Sequence, residues 1–371
     1  MGNVLGLIFA NMHDMTLGYM TKSRTMGSVL VGGRYRLIDF PLSNMVNCEI
    51  SEVGVITKAN YQSLLDHLGS GREWDLSRKK GGLHILPPFG HVEAGLYRGR
   101  IEALYGVLSY IKSTMAEYVF LSDCDVITNM DMKPIINYHI DSEADITVVT
   151  TTGVFNEEQT LNSTVVGVDD TGRIHDVLIH SPISGQCTIS LNMFVIKKSA
   201  LIDLIQNSIA RGLYSFETDI LQSKVKELRI MSYDYNEFYR KIDSIESFFN
   251  ANLDLIDIEN SRQLFLPNRP IYTKVRDNAP SKYGLDSSVT NSIIADGCVI
   301  EGEVENSVLF RGVKVGKGTK IKNSILMQDT KVGNECEISN IITDKDVVIS
   351  NDRLLTSSAS YPMYIGKGAS V

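Results

Sequence analysis

The chain has 371 residues, 43% hydrophobic and 22% charged, an ordinary globular composition whose length suits two domains at roughly 100–200 residues each. Its net charge of −8 gives no general attraction to phosphate backbones, which excludes broad nucleic-acid binding. The five cysteines (Cys48, Cys124, Cys187, Cys298, Cys336) are odd in number and never spaced C-x-x-C, a pattern of reduced cytoplasmic thiols that offers no zinc site. No basic region precedes the first apolar stretch, position 6 lacks the Ser or Thr of a myristoylation signal, and no run approaches the roughly 18 apolar residues of a membrane span. The expectation is a soluble, cytoplasmic protein without a membrane partner.

The run 4–10 is almost continuously apolar, as a strand buried on both faces of a parallel sheet reads. Similar runs follow at 52–57, 118–121, 145–150 and 193–196. A helical pattern lies between them at 101–114, with apolar residues at 101, 104, 107, 108 and 111. Strands alternating with helices predict a Rossmann-like α/β domain over 1–250 with a mostly parallel sheet. Its ligand crevice belongs at the carboxyl ends of the strands, where loops 11–16 and 122–125 emerge. A linker over 251–280 starts as a helix at 251–259 and becomes extended near Pro267, Pro270 and Pro280.

After about residue 280 a repeat takes over. Asn291-Ser292-Ile293-Ile294, Asn306-Ser307-Val308-Leu309 and Asn323-Ser324-Ile325-Leu326 recur, with Ser339-Asn340-Ile341-Ile342 as a permuted copy. Within coils, Leu309, Val315 and Ile321 are six apart, as are Leu326, Val332 and Ile338. Gly312, Gly316, Gly318 and Gly333 sit beside them. One inward aliphatic per side and a tight turn at each corner predict a left-handed parallel β-helix of hexapeptide repeats over 281–371. Acyltransferases built on such a helix need a histidine base, and residues 281–371 contain no histidine, so that chemistry is set aside.

Three long motifs carry a family resemblance: Gly32-Gly33-Arg34-Tyr35-Arg36-Leu37-Ile38-Asp39-Phe40-Pro41-Leu42-Ser43-Asn44, Gly69-Ser70-Gly71-Arg72-Glu73-Trp74-Asp75-Leu76, and Ile342-Thr343-Asp344-Lys345-Asp346-Val347-Val348-Ile349. Together they resemble bacterial glucose-1-phosphate adenylyltransferase (ADP-glucose pyrophosphorylase), over the length of the chain. The resemblance implies a GT-A type nucleotidyltransferase domain followed by the β-helix. It also implies a glycine-rich triphosphate loop, G-G-x-G-x-R-L, and a K-P-A-x-P segment, whose backbone N–H groups and cations cradle the nucleotide. Here the loop reads Asn11-Met12-His13-Asp14-Met15-Thr16-Leu17, with Asn11 and Met12 for the paired glycines, Asp14 for the third, Thr16 for the arginine and Met26 for the lysine. Asp14 would repel a triphosphate.

The family's Mg²⁺ is held by two aspartates, because that ion needs hard oxygen ligands and compensating charge. The first corresponds to Asp125. The second, anchored on Ile245-Glu246-Ser247, falls on Lys241, with Asp243 as a displaced substitute if the loop has shortened. Of the sugar-phosphate contacts, E-K-P becomes His180-Ser181-Pro182, S-M-G becomes Ser190-Leu191-Asn192, and H-D-F-G becomes Tyr214-Ser215-Phe216-Glu217, so that Ser181, Ser190 and Ser215 mark the positions without the charges. Gly99-Arg100 stands at a G-T segment, where Arg100 would crowd or recharge the pocket mouth.

Losses at loop, metal and sugar-phosphate contacts together resemble the GlgD-type, non-catalytic subunit of the enzyme. The resemblance then implies a regulatory chain in glycogen biosynthesis, partnered by a catalytic sister subunit in a homo- or hetero-oligomer, expected to be a tetramer. No metal or cofactor is expected. The alternative is an active adenylyltransferase with an eroded site, which would need Mg²⁺. Arg34 stands where many members carry a lysine that contacts a phosphorylated-sugar effector, with Arg36 and Arg24 as neighbours able to add charge. A closing expectation is that Lys241 pairs with Asp125 and replaces the metal. Trp74 is expected to pack a long loop, and His84, His91 and His139 to be structural or on the surface.

Overall fold

The computed structural model describes residues 3–88 and 97–371; His91 lies outside the described residues. The Val4–Phe9 strand is buried at every position and forms the centre of the main sheet. It pairs in parallel with Glu52–Ile56 on one side and Tyr118–Asp123 on the other, in a register that sets Phe9 beside Ile56 and Asp123. The parallel arrangement continues to Gly82–Leu86. Beyond Tyr118–Asp123 the sheet changes character, because the long Gly185–Lys197 strand joins antiparallel and pairs in turn with Ile146–Phe155 and Thr164–Val168.

Alternate side chains of the central strand feed two cores. Leu5, Leu7 and Phe9 pack with Ile101, Leu104, Ile111 and Phe194 on one face. Val4 and Ile8 on the other join Phe40, Trp74, Phe248 and Phe249. That second core runs on into the C-terminal region through Val308, Phe310, Ile325, Met327 and Ile342, so one apolar layer binds the β-helix to the α/β domain. Trp74, 1% exposed, packs in this layer with its ring edge-on to His67 at 5.7 Å between centroids. His139 is buried and bonded to Thr147 Oγ1 at 2.9 Å, and His84 lies 3.2 Å from the Gly81 carbonyl, both local structural roles.

Two helices differ from their sequence patterns. The helix expected over 101–114 is two, Arg100–Gly106 and Leu108–Ser113, parted at Val107. Gly106, which loses more conformational freedom in a helix than any other residue, precedes the break. The helix expected to begin at 251 starts earlier, as Ile245–Asp254, and a second runs Ile258–Leu264. Asp257 separates them by accepting bonds from the Glu259 and Asn260 amides, the hydrogen bonding that makes aspartate a preferred helix start.

The β-helix has three stacked parallel sheets of five short strands each, beginning at Lys282–Tyr283, Ser288–Thr290 and Ile293–Ile294. The six-residue aliphatics are its inner wall: Leu309, Val315, Ile321, Leu326, Val332 and Ile338 are all buried. The recurring asparagines turn its corners. Asn291, Asn306, Asn323 and Asn340 have φ of +43°, +46°, +45° and +56°, a left-handed conformation that asparagine tolerates better than other side-chain-bearing residues. Amide-to-amide bonds of 3.0 and 2.6 Å link the first three from coil to coil.

Candidate functional site

The cleft lies where parallel-sheet ligands bind, at the carboxyl ends of Val4–Phe9 and Tyr118–Asp123. Because Phe9 registers with Asp123, the loop after Phe9 comes down beside Asp123 and Asp125. His13 Nε2 lies 2.7 Å from Asp123 Oδ2 and 3.8 Å from Asp125 Oδ2. Arg100, 1% exposed, donates from Nη2 to the same Asp123 oxygen at 2.6 Å and from Nη1 to Glu217 Oε1 at 2.5 Å. Its guanidinium lies over the rings of Phe9 and Phe194, 5.0 and 5.4 Å from their centroids, two cation–π contacts that partly offset its desolvation. Arg100 therefore does not crowd the mouth of the pocket. It is inside.

Asn192 completes the cluster. It sits at the register shift in Gly185–Lys197 between Ser190 and Met193, and its φ of +57° keeps the conformation that a glycine would supply at this turn. The bulge aims its Nδ2 at Asp125 Oδ2, 2.7 Å away. Ser190 Oγ accepts from the Asn192 amide at 3.1 Å.

The charges follow from these contacts. Burial works against an ionised His13, but the Asp125 and Asp123 carboxylates outweigh it and hold the imidazole above its ordinary pKa. Burial also opposes an ionised Asp123, yet Arg100 and His13 hold that carboxyl below the usual range. Asp125 goes the other way: burial, with the Asp123 charge beside it, raises its pKa against His13 and Lys241. The arrangement is a chain of neutralised charges, Glu217–Arg100–Asp123–His13, with Asp125 at its end.

Lys241 does not pair with Asp125, contrary to expectation. It ends the Tyr239–Lys241 strand opposite Val126, and its ammonium donates to Ser163 Oγ at 2.6 Å and the Asn162 carbonyl at 3.2 Å. Asp125 is taken by Asn192 and approached by His13, so the role foreseen for Lys241 falls to them. Asp243 does not join the group either; among the described residues His13, Asp123 and Asp125 are the set whose ligand atoms lie within 4.8 Å of one another. This set does not suit Mg²⁺. The alignment anchored on Ile245-Glu246-Ser247 puts Lys241 at the family's second carboxylate, the near oxygen of Asp123 already serves two cationic side chains, and a guanidinium supplies the compensating charge an oxygen-bound ion would bring.

The degenerate loop is held by its own side chains. Asp14 and Thr16 lie in a 3₁₀ segment, Asp14–Thr21, kinked at Gly18. Asp14 Oδ1 accepts from the amide of buried Met26 at 2.7 Å, and Thr16 Oγ1 donates to the His13 carbonyl. Burial pushes the Asp14 carboxyl up to about 7, against the Met26 bond and Lys58. Asn11 is buried and accepts from the Tyr97 hydroxyl at 3.1 Å. Asn11, Met12, Asp14 and Tyr19 wall an open cleft of about 530 Å³ whose cations are Lys22 and Lys58. Of the sugar-phosphate positions, Ser215 Oγ accepts from the Thr218 amide of its own turn, and Ser181 lies half-buried in the loop before Gly185–Lys197. Ser190 and Ser215 each bond within their own segment, so the structure does not tie these positions into one contact set.

A second site forms between the domains. Arg34 and Arg36 line a small recess together with Lys274, Arg276 and Arg311, which come from distant segments of the chain. Arg34 lies over the Tyr35 ring at 5.0 Å; Arg36 is buried and donates to Ser63. Burial, with Arg276 and Arg24 nearby, lowers the Arg36 pKa to about 10 despite Asp39. Burial, with Arg36 and Arg24 beside it, lowers Lys345 to about 7. Excess positive charge is thus concentrated on an acidic protein. Lys274, Arg276, Arg311 and Lys345 were missed in the sequence because they lie in the linker and in the β-helix, far from Arg34; His13, Asp123, Asn192 and Glu217 were missed because only sheet register, a bulge and the Arg100 bridge bring them together.

Comparison with known proteins agrees with this architecture. Residues 17–253 match the nucleotidyl transferase family model, and residues 278–356 match the GlmU-like, C-terminal hexapeptide model. The chain is 36% identical over 319 residues to "Glycogen biosynthesis protein GlgD" of Bacillus subtilis, covering 86% of this chain and 82% of that protein. The GlgD of Geobacillus stearothermophilus gives the same identity and coverage. Glucose-1-phosphate adenylyltransferase of Thermotoga neapolitana is 33% identical over 328 residues, 86% of this chain and 77% of that protein. No helix among the described residues is long and apolar enough to cross a membrane. The chain, with its nucleotidyltransferase domain and hexapeptide β-helix, belongs to the glucose-1-phosphate adenylyltransferase family that includes the GlgD proteins.

Proposed function

We propose that this chain is a regulatory, catalytically impaired subunit in glycogen biosynthesis, acting on a catalytic glucose-1-phosphate adenylyltransferase sister chain in a mixed oligomer. The observation that carries the reading is the buried Arg100 guanidinium bridging Asp123 and Glu217. It sets a buried cation near Asp125, the metal position the chain keeps, while the loop that should cradle phosphates presents Asp14. The names of its relatives support the pathway. The first β-helix coil supports assembly: Tyr283 is half-exposed on Lys282–Tyr283, the end strand of its sheet among the described residues, and Leu285 is fully exposed in the turn after it, a surface that repeat stacks cover with a cap or a partner.

The regulatory part of the proposal rests on the basic interdomain cleft. Five cationic side chains lining one small recess offer donors to the phosphoryl group of a phosphorylated-sugar effector, since guanidinium groups bind phosphate bidentately. Co-expression with the catalytic sister tests both parts. The mixed enzyme should differ from the sister alone in its response to a phosphorylated effector, and Arg34→Ala should shift the mixed enzyme's activation to higher effector concentration. Identical kinetics with and without this chain would reject the regulatory reading.

A further inference from the structure

An imidazole and two carboxylates converge at the carboxyl ends of Val4–Phe9 and Tyr118–Asp123. The ligand atoms of His13, Asp123 and Asp125 all lie within 4.8 Å of one another. The carboxylates are 1% and 2% exposed, and His13, at 29%, leaves an approach from solvent.

The hydrogen bonds of the cluster do not use up its acceptors. Asp123 Oδ1 and Asp125 Oδ1 are buried with no partner, and a desolvated carboxylate oxygen without a donor is costly. The charges point the same way. Asp123, Asp125 and Glu217 bring three negative charges, and Arg100, shared between Asp123 and Glu217, brings one positive charge. With a neutral imidazole the cluster is therefore two charges negative. Just outside it, Lys241 and Asp243 cancel each other. One divalent cation balances the remainder.

The features that turn Mg²⁺ away do not turn away an ion that accepts nitrogen. Mg²⁺ demands near-octahedral oxygen coordination. Zn²⁺ takes imidazole and carboxylate together, four-coordinate, with bonds of about 2.0–2.2 Å. At those lengths tetrahedral ligand atoms lie about 3.4 Å apart. His13 Nε2 is 2.7 Å from the Asp123 oxygen and 3.8 Å from the Asp125 oxygen, so movements of less than about 1 Å seat all three. His13 then exchanges its bond to Asp123 for the ion. Arg100 on Asp123 and Asn192 on Asp125 become the outer hydrogen bonds that orient metal-bound carboxylates.

We propose that His13, Asp123 and Asp125 form a binding site for a zinc-type divalent cation, with three protein ligands and one position left to water. The ion ties the segment after Val4–Phe9 to the end of Tyr118–Asp123. The site depends on a histidine absent from the nucleotide loop of the resembled family, and it is independent of the regulatory reading above. With Asp14 where a phosphate cradle would be, the ion acts as a cross-link and not in adenylyl transfer.

The full-length chain, stripped of metal with a chelator and dialysed, is titrated with Co²⁺, whose visible absorption reports four-coordinate binding. One Co²⁺ per chain should give a saturable band that Zn²⁺ abolishes and a roughly thousandfold excess of Mg²⁺ leaves in place. Zn²⁺ should also raise the melting temperature, as a ligand of the folded state does. His13→Ala and Asp125→Asn should each weaken binding by at least about tenfold, and His13→Ala should lose the Zn²⁺-dependent rise in melting temperature. If His13→Ala fails to fold, His13→Gln takes its place. Cys187, the one cysteine that is not buried, is controlled by Cys187→Ser, which should keep the band. The absence of a saturable band, its displacement by Mg²⁺ at equal concentration, its survival in the His13 variant or its loss in Cys187→Ser would each overturn the site.

Discussion

Arg100 and Glu217 arrive in the cleft as a pair, each at a position where the resembled family has a different residue. A guanidinium with 1% exposure is tolerable only while its carboxylate partners remain, since removing one partner of a buried ion pair strands the other charge. Arg100→Ala should therefore destabilise the chain by about 3–5 kcal/mol. Arg100→Ala combined with Glu217→Ala should cost less than the sum of the single changes, measured by urea unfolding in a double-mutant cycle; strict additivity would contradict the pairing. Asp14 makes a different prediction. Its carboxyl is raised from 3.8 to about 7, so the folded state keeps a proton that the unfolded chain releases. The stability this confers is full below about pH 4 and is lost as pH rises to about 7. Asp14→Asn removes the dependence: the melting temperature of wild type relative to the variant should fall between those limits. A pH-independent difference would show that Asp14 is solvated. In the sequence, departures from the resembled family's nucleotide loop are legible at Asn11, Met12, Asp14 and Thr16. It did not make legible what fills the space, because Arg100, Asp123, His13 and Asn192 meet only through sheet register and a bulge. The same holds for Lys241: strand pairing with Val126, not sequence anchoring, sets where its side chain goes.

Elements with a strict period are legible in the sequence alone. The six-residue step in 309–338 sets an inward aliphatic wall because one side of the prism is that long, and the buried side chains follow it. The asparagines carry a further energetic part. Asn306 is held at φ +46° and bonds to its neighbours above and below. Asn306→Ala should therefore lose two side-chain bonds and strain the corner, costing about 1–3 kcal/mol. Asn306→Gly, which keeps the conformation, should cost less than Ala. Thermal unfolding measures both, and equal losses would assign the whole effect to the hydrogen bonds. Helix ends are less legible. The apolar spacing of 101–114 runs straight through Val107, so periodicity gives no sign of the break after Gly106. The Asp257 cap lies inside 251–259, which reads as one unbroken helix.

At the scale of the molecule, the shared apolar layer and the Arg24–Asp344 bridge make the β-helix part of the α/β domain's own structure. The fold's division into an α/β region and a prism was legible from the change of repeat near residue 280; the basic cleft between them was not, since its cations come from separated segments and converge only on folding. The central claim is that the cleft at Asp123 and Asp125 is closed by the protein's own charges and does no adenylyl transfer. It is tested most directly by assaying the purified chain, without the sister subunit, for pyrophosphate release from ATP and glucose 1-phosphate in the presence of Mg²⁺, beside an active family member. Turnover should be lower by at least about a hundredfold, given what the loss of such charge-stabilising groups costs; turnover matching the active enzyme would contradict it.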